Sequence, residues 1–414
     1  MTSLLRRIAV DVRPLAQPDF RRLFVGQGVS FVGYQLTAVA VPVQMYAVTG
    51  SSFWVGLIGL AALVPLVVFG LYGGSISDAV DRRRLYIASS CLVWAVTGAL
   101  LVQALLHLDN RWLLLALVAV QSVGFAMSSP VRGAILPRLL PREQVPAANT
   151  LNFTMSSVAT VAGPLIAGLV LARSTYATAY AIDAALFTVG LYAALRLPPL
   201  PPLGEITRPG LRSVLDGLAF IAGKPVLLMS FAVDIGAMVF AMPRALFPEV
   251  ATTRFHDTGA VGWLFAAIAI GSVVGGLFSG WIGRVRRQGV ALVVAVCGWG
   301  VAVALSGLAH SLWLAVTLLA VAGAADLVSA VYRQTILQTY APDEMRGRMQ
   351  GVFIVVVAGG PRLGDLRAGG TAAVVGVTGS WVGGGVACVV VTLVLAAAVP
   401  ALLRYDTGAT ERQP

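Results

Sequence analysis

The residues with the most chemical potential in this sequence are ionisable groups stranded inside long apolar runs. Asp326 and Arg333 lie seven positions apart with Ser329 and Ala330 between them, a spacing that places all four on one face of a helix. Asp234 lies in a second apolar run, and Pro361-Arg362-Leu363-Gly364-Asp365-Leu366-Arg367 concentrates three charges in a third. A charged side chain at the centre of a bilayer costs at least about 2.5 kcal/mol, so each of these must meet a wet cavity, a partner charge or a proton. Asp326 and Asp234 are the sharpest such cases, each open to a functional reading. A structural hydrogen bond or ion pair is the competing reading for either. Arg362 and Asp365 lie about 60° apart around a helix axis and can pair, whereas Arg367 points away from both. These three read as a gate ion pair, a site for an anionic substrate, or a structural network. Asp183 stands in a further apolar run.

Other chemistries find no constellation. Cys91, Cys297 and Cys388 all sit inside apolar runs, with no disulfide pattern and no metal-ligand spacing. His107, His256 and His310 fall at helix ends or loops and form no His-x-x-x-His pair. Gly223-Lys224 is followed by Pro225, so no phosphate-binding loop of the Gly-Lys-Ser/Thr kind exists. No cofactor, no metal and no enzymatic activity are expected.

The elements that must position the buried charges follow from composition. Of 414 residues, 58% are apolar and only 11% charged, against roughly 25% charged in an ordinary soluble domain. The mean hydropathy is +0.85. A soluble fold would lack the polar surface to cover itself. Apolar runs long enough to cross a bilayer predict twelve helices, near 22–47, 53–76, 85–106, 112–136, 147–172, 175–196, 226–248, 259–283, 289–309, 312–337, 348–375 and 380–403. The fold class is therefore an all-α integral membrane protein. Leu197-Pro198-Pro199-Leu200-Pro201-Pro202 predicts an extended linker. Leu211, Val214, Leu215, Leu218 and Ala222 then recur at helical spacing, the mark of an amphipathic segment on the membrane surface. Three regions result: residues 1–196, a cytoplasmic linker 197–225, and residues 226–414.

The net charge of +11 reads as membrane topology rather than nucleic-acid binding, because the basic residues fall in the gaps between spans. Twenty-three Lys and Arg lie on the side that holds the N-terminus, and four (Arg111, Arg173, Arg244, Arg254) on the other. Both termini are expected in the cytoplasm of a bacterium, with the chain in its inner membrane.

The two halves repeat. An offset of 206 maps Pro42 to Pro248, Gly70 to Gly276 and Cys91 to Cys297; an offset of 201 maps Trp112 to Trp313, Arg132 to Arg333 and Pro141 to Pro342. The stripe in the fourth span that matches Asp326, Ser329 and Arg333 is Phe125, Ser128, Ser129 and Arg132. Two six-helix bundles related by a pseudo-twofold axis suit a rocking, alternating-access carrier.

Between the second and third spans, Gly73-Gly74-Ser-Ile-Ser-Asp78-Ala-Val-Asp81-Arg82-Arg83-Arg84 resembles the first signature of the major facilitator superfamily. The resemblance implies a conformational latch at Gly74, Asp78, Arg82 and Arg83, with Asp78 reaching toward residues 347–350; a plain positive-inside loop is the alternative. Ala159-x-x-x-Gly163-Pro164-x-x-Ala167-Gly168 is similar to the antiporter signature of exporters, and also reads as a small-residue packing seam. Phe20 to Ser30, Pro130 to Glu143 and Arg333-Gln334 with Pro342 to Arg348 resemble the siderophore- and multidrug-exporter-like branch. In that superfamily spans 1, 4, 7 and 10 line the cavity. This makes Gln27, Tyr34, Ser128 and Met238 cavity candidates, and makes Asp326, Asp234, Arg333 and Arg132 candidates for proton or substrate contact. The function implied is proton-coupled efflux, by antiport, of a small amphipathic molecule such as a drug or siderophore, by a monomer in the lipid bilayer. A facilitator or importer without proton exchange is the alternative, and a non-transporting sensor a more remote one.

Overall fold

The structure is a computed structural model that describes residues 11–201, 219–340 and 346–405; within these, the side chains of 71–79, 340 and 346–356 are set aside. Every regular element among the described residues is helical. The long helices are α1 Pro18–Thr49, α2 Ser52–Ala79, α3 Arg82–Leu105, α4 Arg111–Leu139, α5 Val145–Arg173, α6 Tyr176–Leu195, α7 Pro225–Ala241, α8 Ala260–Leu277, α9 Gln288–Leu308, α10 Leu312–Tyr340 and α11 Arg346–Ala398. Their starts are set by local chemistry. Asp81 caps α3 by accepting from the amides of Arg83 (2.8 Å) and Arg84 (3.4 Å). Asn110 caps α4 by accepting from Trp112 (2.9 Å) and Leu113 (3.2 Å). Each cap satisfies amides that a helix start leaves without a partner.

Eleven of these elements contain a stretch long and apolar enough to cross a membrane, and the last such stretch, Val357–Ala398, runs for 42 residues. At about 1.5 Å per residue that is twice the length one crossing of a roughly 30 Å hydrocarbon layer needs. It is broken at Gly376, whose φ of 76° and ψ of 165° are not helical and suit only a residue without a β-carbon. The two arms of α11 are thus two spans, and the twelve expected from hydropathy are present.

One span differs from expectation. The apolar run 226–248 reads as a single helix, but α7 stops at Ala241. Met242 is extended, Arg244–Leu246 forms a 3-10 turn, and a short helix Phe247–Thr253 follows. Pro243 is the cause: it has no N–H to offer the carbonyl of Val239, so the helical ladder cannot continue through it.

The chain divides into two compact units, Met1–Val41 with Val64–Pro209, and Pro42–Leu63 with Gly210–Pro414. In the first, α3 packs on α4 and α6. Its core includes Leu23, Leu85, Tyr86, Val131, Ile135, Ala194, Leu197 and Leu200. Leu197 and Leu200 show that the start of the Pro-rich linker docks on this unit. The Arg82 amide donates to the Leu200 carbonyl (3.1 Å), and Arg138 Nη1 donates to that of Pro201 (3.2 Å). The amphipathic segment expected at 211–222 lies mostly outside the described residues; its end, 219–222, is helical.

In the second unit α7 and α9 pack on α11, and α8 and α9 pack on α10. The first turns of α2 join it through glycine. A β-carbon at Gly56 would overlap the Asp365 carbonyl, one at Gly59 the Arg362 carbonyl, and one at Gly369 the Ser52 carbonyl. Ser52 also donates its hydroxyl to the Glu249 carboxylate.

Candidate functional site

In the second unit α7 and α10 bring Asp234, Asp326 and Arg333 together. The Arg333 guanidinium pairs with Asp234 through Nη1 and lies 3.5 Å from Asp326 through Nη2. The side chains of Asp234 and Arg333 are 3% and 7% exposed, while Asp326 keeps 29%. The seven-residue spacing on α10 does what the sequence suggests: Arg333 reaches back two turns to Asp326, and Ser329 between them donates to the Asp326 backbone carbonyl (2.8 Å). A small hollow lined by Ser230, Phe231, Asp234 and Arg333 opens beside the pair. Two carboxylates share the Arg333 guanidinium here, Asp234 closely and Asp326 at the longer distance, so Asp326 is the acid freer to exchange a proton.

Arg244 is the residue that sequence reasoning missed. Its place near the end of an apolar run put it among the outer loop charges. In the structure it follows the Pro243 break, and its Nε is buried without a hydrogen-bond partner among the described residues. Its charge acts on both Asp326 and Asp365, and Arg362 acts on Asp365 as well. The Met242-Pro243 step was the available signal, because a proline near the end of a span turns the next side chain off the helix path.

Arg367 has a different task. Its Nε donates to the Val239 carbonyl (3.1 Å), its Nη2 to the Phe240 carbonyl and its Nη1 to the Ser380 carbonyl (3.1 Å). It therefore supplies the donors that the break in α7 removed. Met238, a cavity candidate, is buried with its side chain against Gly360.

The first unit holds a cleft of about 530 Å³, open solvent included, between α1, α3, α4 and α6. Gln27, Tyr34, Ser128 and Arg132 all line it, with Phe31, Tyr86 and Phe125 among the others. Tyr34 stacks on Phe125 with ring centroids 5.4 Å apart, and Arg132 lies 5.4 Å from the Phe125 centroid. Gln27 donates to the Tyr86 hydroxyl (3.3 Å), and Ser128 to the Phe125 carbonyl (3.0 Å). Asp183 stays apart from the cleft lining and accepts from Thr37 (2.6 Å) and Thr97 (3.5 Å). Among the described residues no group of three His, Cys, Asp or Glu is placed to hold a metal.

Over residues 9–413 the chain matches the family described as transmembrane secretion effector, a branch of the major facilitator superfamily. The chain belongs to this family. Relatives named as the enterobactin exporter EntS, from Shigella boydii serotype 18 (strain CDC 3083-94 / BS512) and Escherichia coli O139:H28 (strain E24377A / ETEC), are each 31% identical over 363 residues, 86% of this chain and 86% of theirs. Among solved structures, the nucleoside transporter NupG superposes with a TM-score of 0.75 at 14% identity, covering 94% of this chain and 100% of that one. A bacterial homologue of the iron transporter ferroportin gives 0.66 at 13% identity, covering 93% and 98%. These two likenesses carry the fold alone. The major facilitator fold, an all-α membrane bundle, is thereby shown, and the chain is a multi-pass membrane protein and a secondary transporter.

Two superfamily signatures can be placed on the structure. In the loop between α2 and α3, Arg83 Nη2 donates to the Leu195 carbonyl (2.9 Å), and Arg82 binds the linker through its amide. The side chains of 71–79, with Gly74 and Asp78 among them, and of the expected partner segment 347–350 are among those set aside, so the latch itself lies outside the described contacts. In the antiporter-like segment of α5, Gly163, Pro164 and Gly168 are buried. A β-carbon at Gly163 would overlap the Gln35 side chain, so this glycine lets α5 approach α1.

Proposed function

We propose that this secondary transporter is a proton-coupled exporter that exchanges protons for a small amphipathic molecule of the drug or siderophore class. The observation that carries the reading is the buried trio Asp234–Arg333–Asp326. Arg333 holds Asp234 tightly and Asp326 loosely, and Asp326 is the more exposed of the two acids. A proton taken up by Asp326 leaves Arg333 wholly to Asp234; its loss makes the two acids compete for one guanidinium. The trio joins α7 to α10, so the proton alters how two spans are tied together, which is what a carrier needs to link protonation to movement. The EntS relatives support the outward direction. The excess of Lys and Arg on the side of the termini supports an inner-membrane protein with both ends in the cytoplasm. A single copy of the chain, working with protons, cargo and lipid, is sufficient for this scheme.

The test is transport in proteoliposomes. Efflux of a fluorescent amphipathic dye should collapse when the proton gradient is dissipated, and Asp326→Asn should abolish proton-driven accumulation. Proton-driven transport that survives intact in Asp326→Asn removes this residue from the mechanism. Flux that follows only the cargo gradient, with no proton movement, would favour the facilitator reading.

A further inference from the structure

The duplicated halves differ at one chemically decisive place. Arg132 and Arg333 are equivalent by the offset of 201, and so are Ser128 and Ser329. Each serine donates to the backbone carbonyl three positions before it, 3.0 Å to Phe125 and 2.8 Å to Asp326. The positions that face the arginine have diverged. Where the second unit has Asp326 the first has Phe125, and the offset of 206 puts Gly28 where Asp234 stands. Arg333 is therefore neutralised by acids of its own unit, whereas Arg132 rests on an aromatic face.

The surroundings of Arg132 suit an anion. Among the described residues that line its cleft, none is acidic. The guanidinium makes no hydrogen bond or ion pair among the described residues, so its in-plane N–H donors are available. Beyond Phe125 the aromatic surface continues: Tyr34 is stacked at an interplanar angle of 14°, and Phe31 lies 6.1 Å further on at 10°. Ser30, a residue only 8% exposed, also lines the cleft, and its hydroxyl is buried without a hydrogen-bond partner among the described residues. A cation would meet Arg132 with like charge. An aliphatic anion would leave the ring faces unused.

We propose that this cleft binds an aromatic ring carrying an anionic group: the planar anion on the guanidinium of Arg132, the ring against the Phe125–Tyr34 stack, and a polar substituent on the Ser30 hydroxyl. Arginine suits this task because its fork matches a planar carboxylate and its face tolerates an aromatic neighbour. The inference deepens the exporter reading and rests on it for the claim that the ligand is cargo.

The test measures binding to the purified full-length chain in lipid nanodiscs by isothermal titration calorimetry, with three probes. 1-Naphthoate carries ring and negative charge, 1-naphthylmethylamine the ring with positive charge, and cyclohexanecarboxylate the charge without the ring. Naphthoate should bind at least about tenfold more tightly than either of the others. Arg132→Gln should weaken naphthoate by about tenfold or more, Arg132→Lys by less, and Phe125→Leu by several-fold. Thermal melting of each variant separates loss of the site from loss of the fold, and Arg132→Lys keeps the charge should Arg132→Gln fold poorly. Equal binding of the amine, or naphthoate affinity unchanged in both Arg132 variants, overturns the proposal. Proton-driven efflux of other cargo with no naphthoate binding would overturn this inference and leave the exporter standing. Naphthoate binding with the expected dependence, but no proton-linked flux of any cargo, would do the reverse.

Discussion

At the scale of single residues, the two acids that share Arg333 should behave oppositely when neutralised. Asp234 is 3% exposed and closely paired. Changing it to Asn leaves a guanidinium that is itself 7% exposed with only its looser contact to Asp326, and breaking a buried pair costs up to about 3–5 kcal/mol. Asp326 is 29% exposed and 3.5 Å from the same arginine, so Asp326→Asn removes little that holds the fold. The expected result in detergent melting curves is a marked fall for Asp234→Asn and a near-wild-type midpoint for Asp326→Asn. Equal falls would mean that Asp326 is a structural partner rather than an exchangeable one. Asp183 offers a contrast in the first unit: with Thr37 at 2.6 Å and Thr97 at 3.5 Å it is a hydrogen-bond acceptor, a role Asn can fill and Leu cannot.

Among elements, the break in α7 and the first arm of α11 form one device. Pro243 deprives the Val239 carbonyl of its partner, and Arg367, 128 positions away, supplies the missing donor at 3.1 Å while also reaching the carbonyls of Phe240 and Ser380. Arg367→Met should destabilise the protein by about 1–3 kcal/mol for each buried carbonyl left without a donor. In the double variant with Pro243→Ala the helix regains an N–H, so part of the loss should be recovered. Melting midpoints of the two singles and the double close the cycle, and strict additivity would show that Arg367 does not serve the break. This pairing also marks the limit of what could be read beforehand. Span positions were legible because hydropathy is local, and the Asp326–Arg333 pair was legible because both residues lie on one helix face. Arg367 against Val239 joins different helices, and no periodicity announces it. Arg244 was counted only as a topology charge for a related reason. Assigning charges by their distance from the end of an apolar run assumes an unbroken helix, and Pro243 ends that helix before Arg244 is reached. Of the cleft residues, Ser128 and Arg132 were legible as a stripe on one span and Gln27 and Tyr34 through the superfamily resemblance, but that none of the described residues lining the cleft is acidic appears only once the neighbouring helices are in place.

For the whole molecule, the asymmetry between the repeats has an electrical consequence. If the second unit carries one proton on Asp326 and the first carries a monoanion on Arg132, a cycle that brings the proton in and sends the cargo out moves two positive charges inward. Each charge crossing 100 mV is worth about 2.3 kcal/mol, so an inside-negative potential of that size contributes about 4.6 kcal/mol to export of a monoanion. A neutral cargo would gain about half of this, and a monovalent cation nothing. The measurement is uptake into everted vesicles, or efflux from proteoliposomes, with a potassium and valinomycin potential imposed at equal pH on both sides. Export of an aromatic monoanion should accelerate and reach a higher plateau as the cargo side is made more negative. Replacing Asp326 with Asn should halve the charge moved per cargo molecule while leaving the sign of the response unchanged, because the anion itself still crosses. A plateau indifferent to potential at equal pH would require an electroneutral cycle, and the division of labour between Arg132 and Asp326 would have to be abandoned.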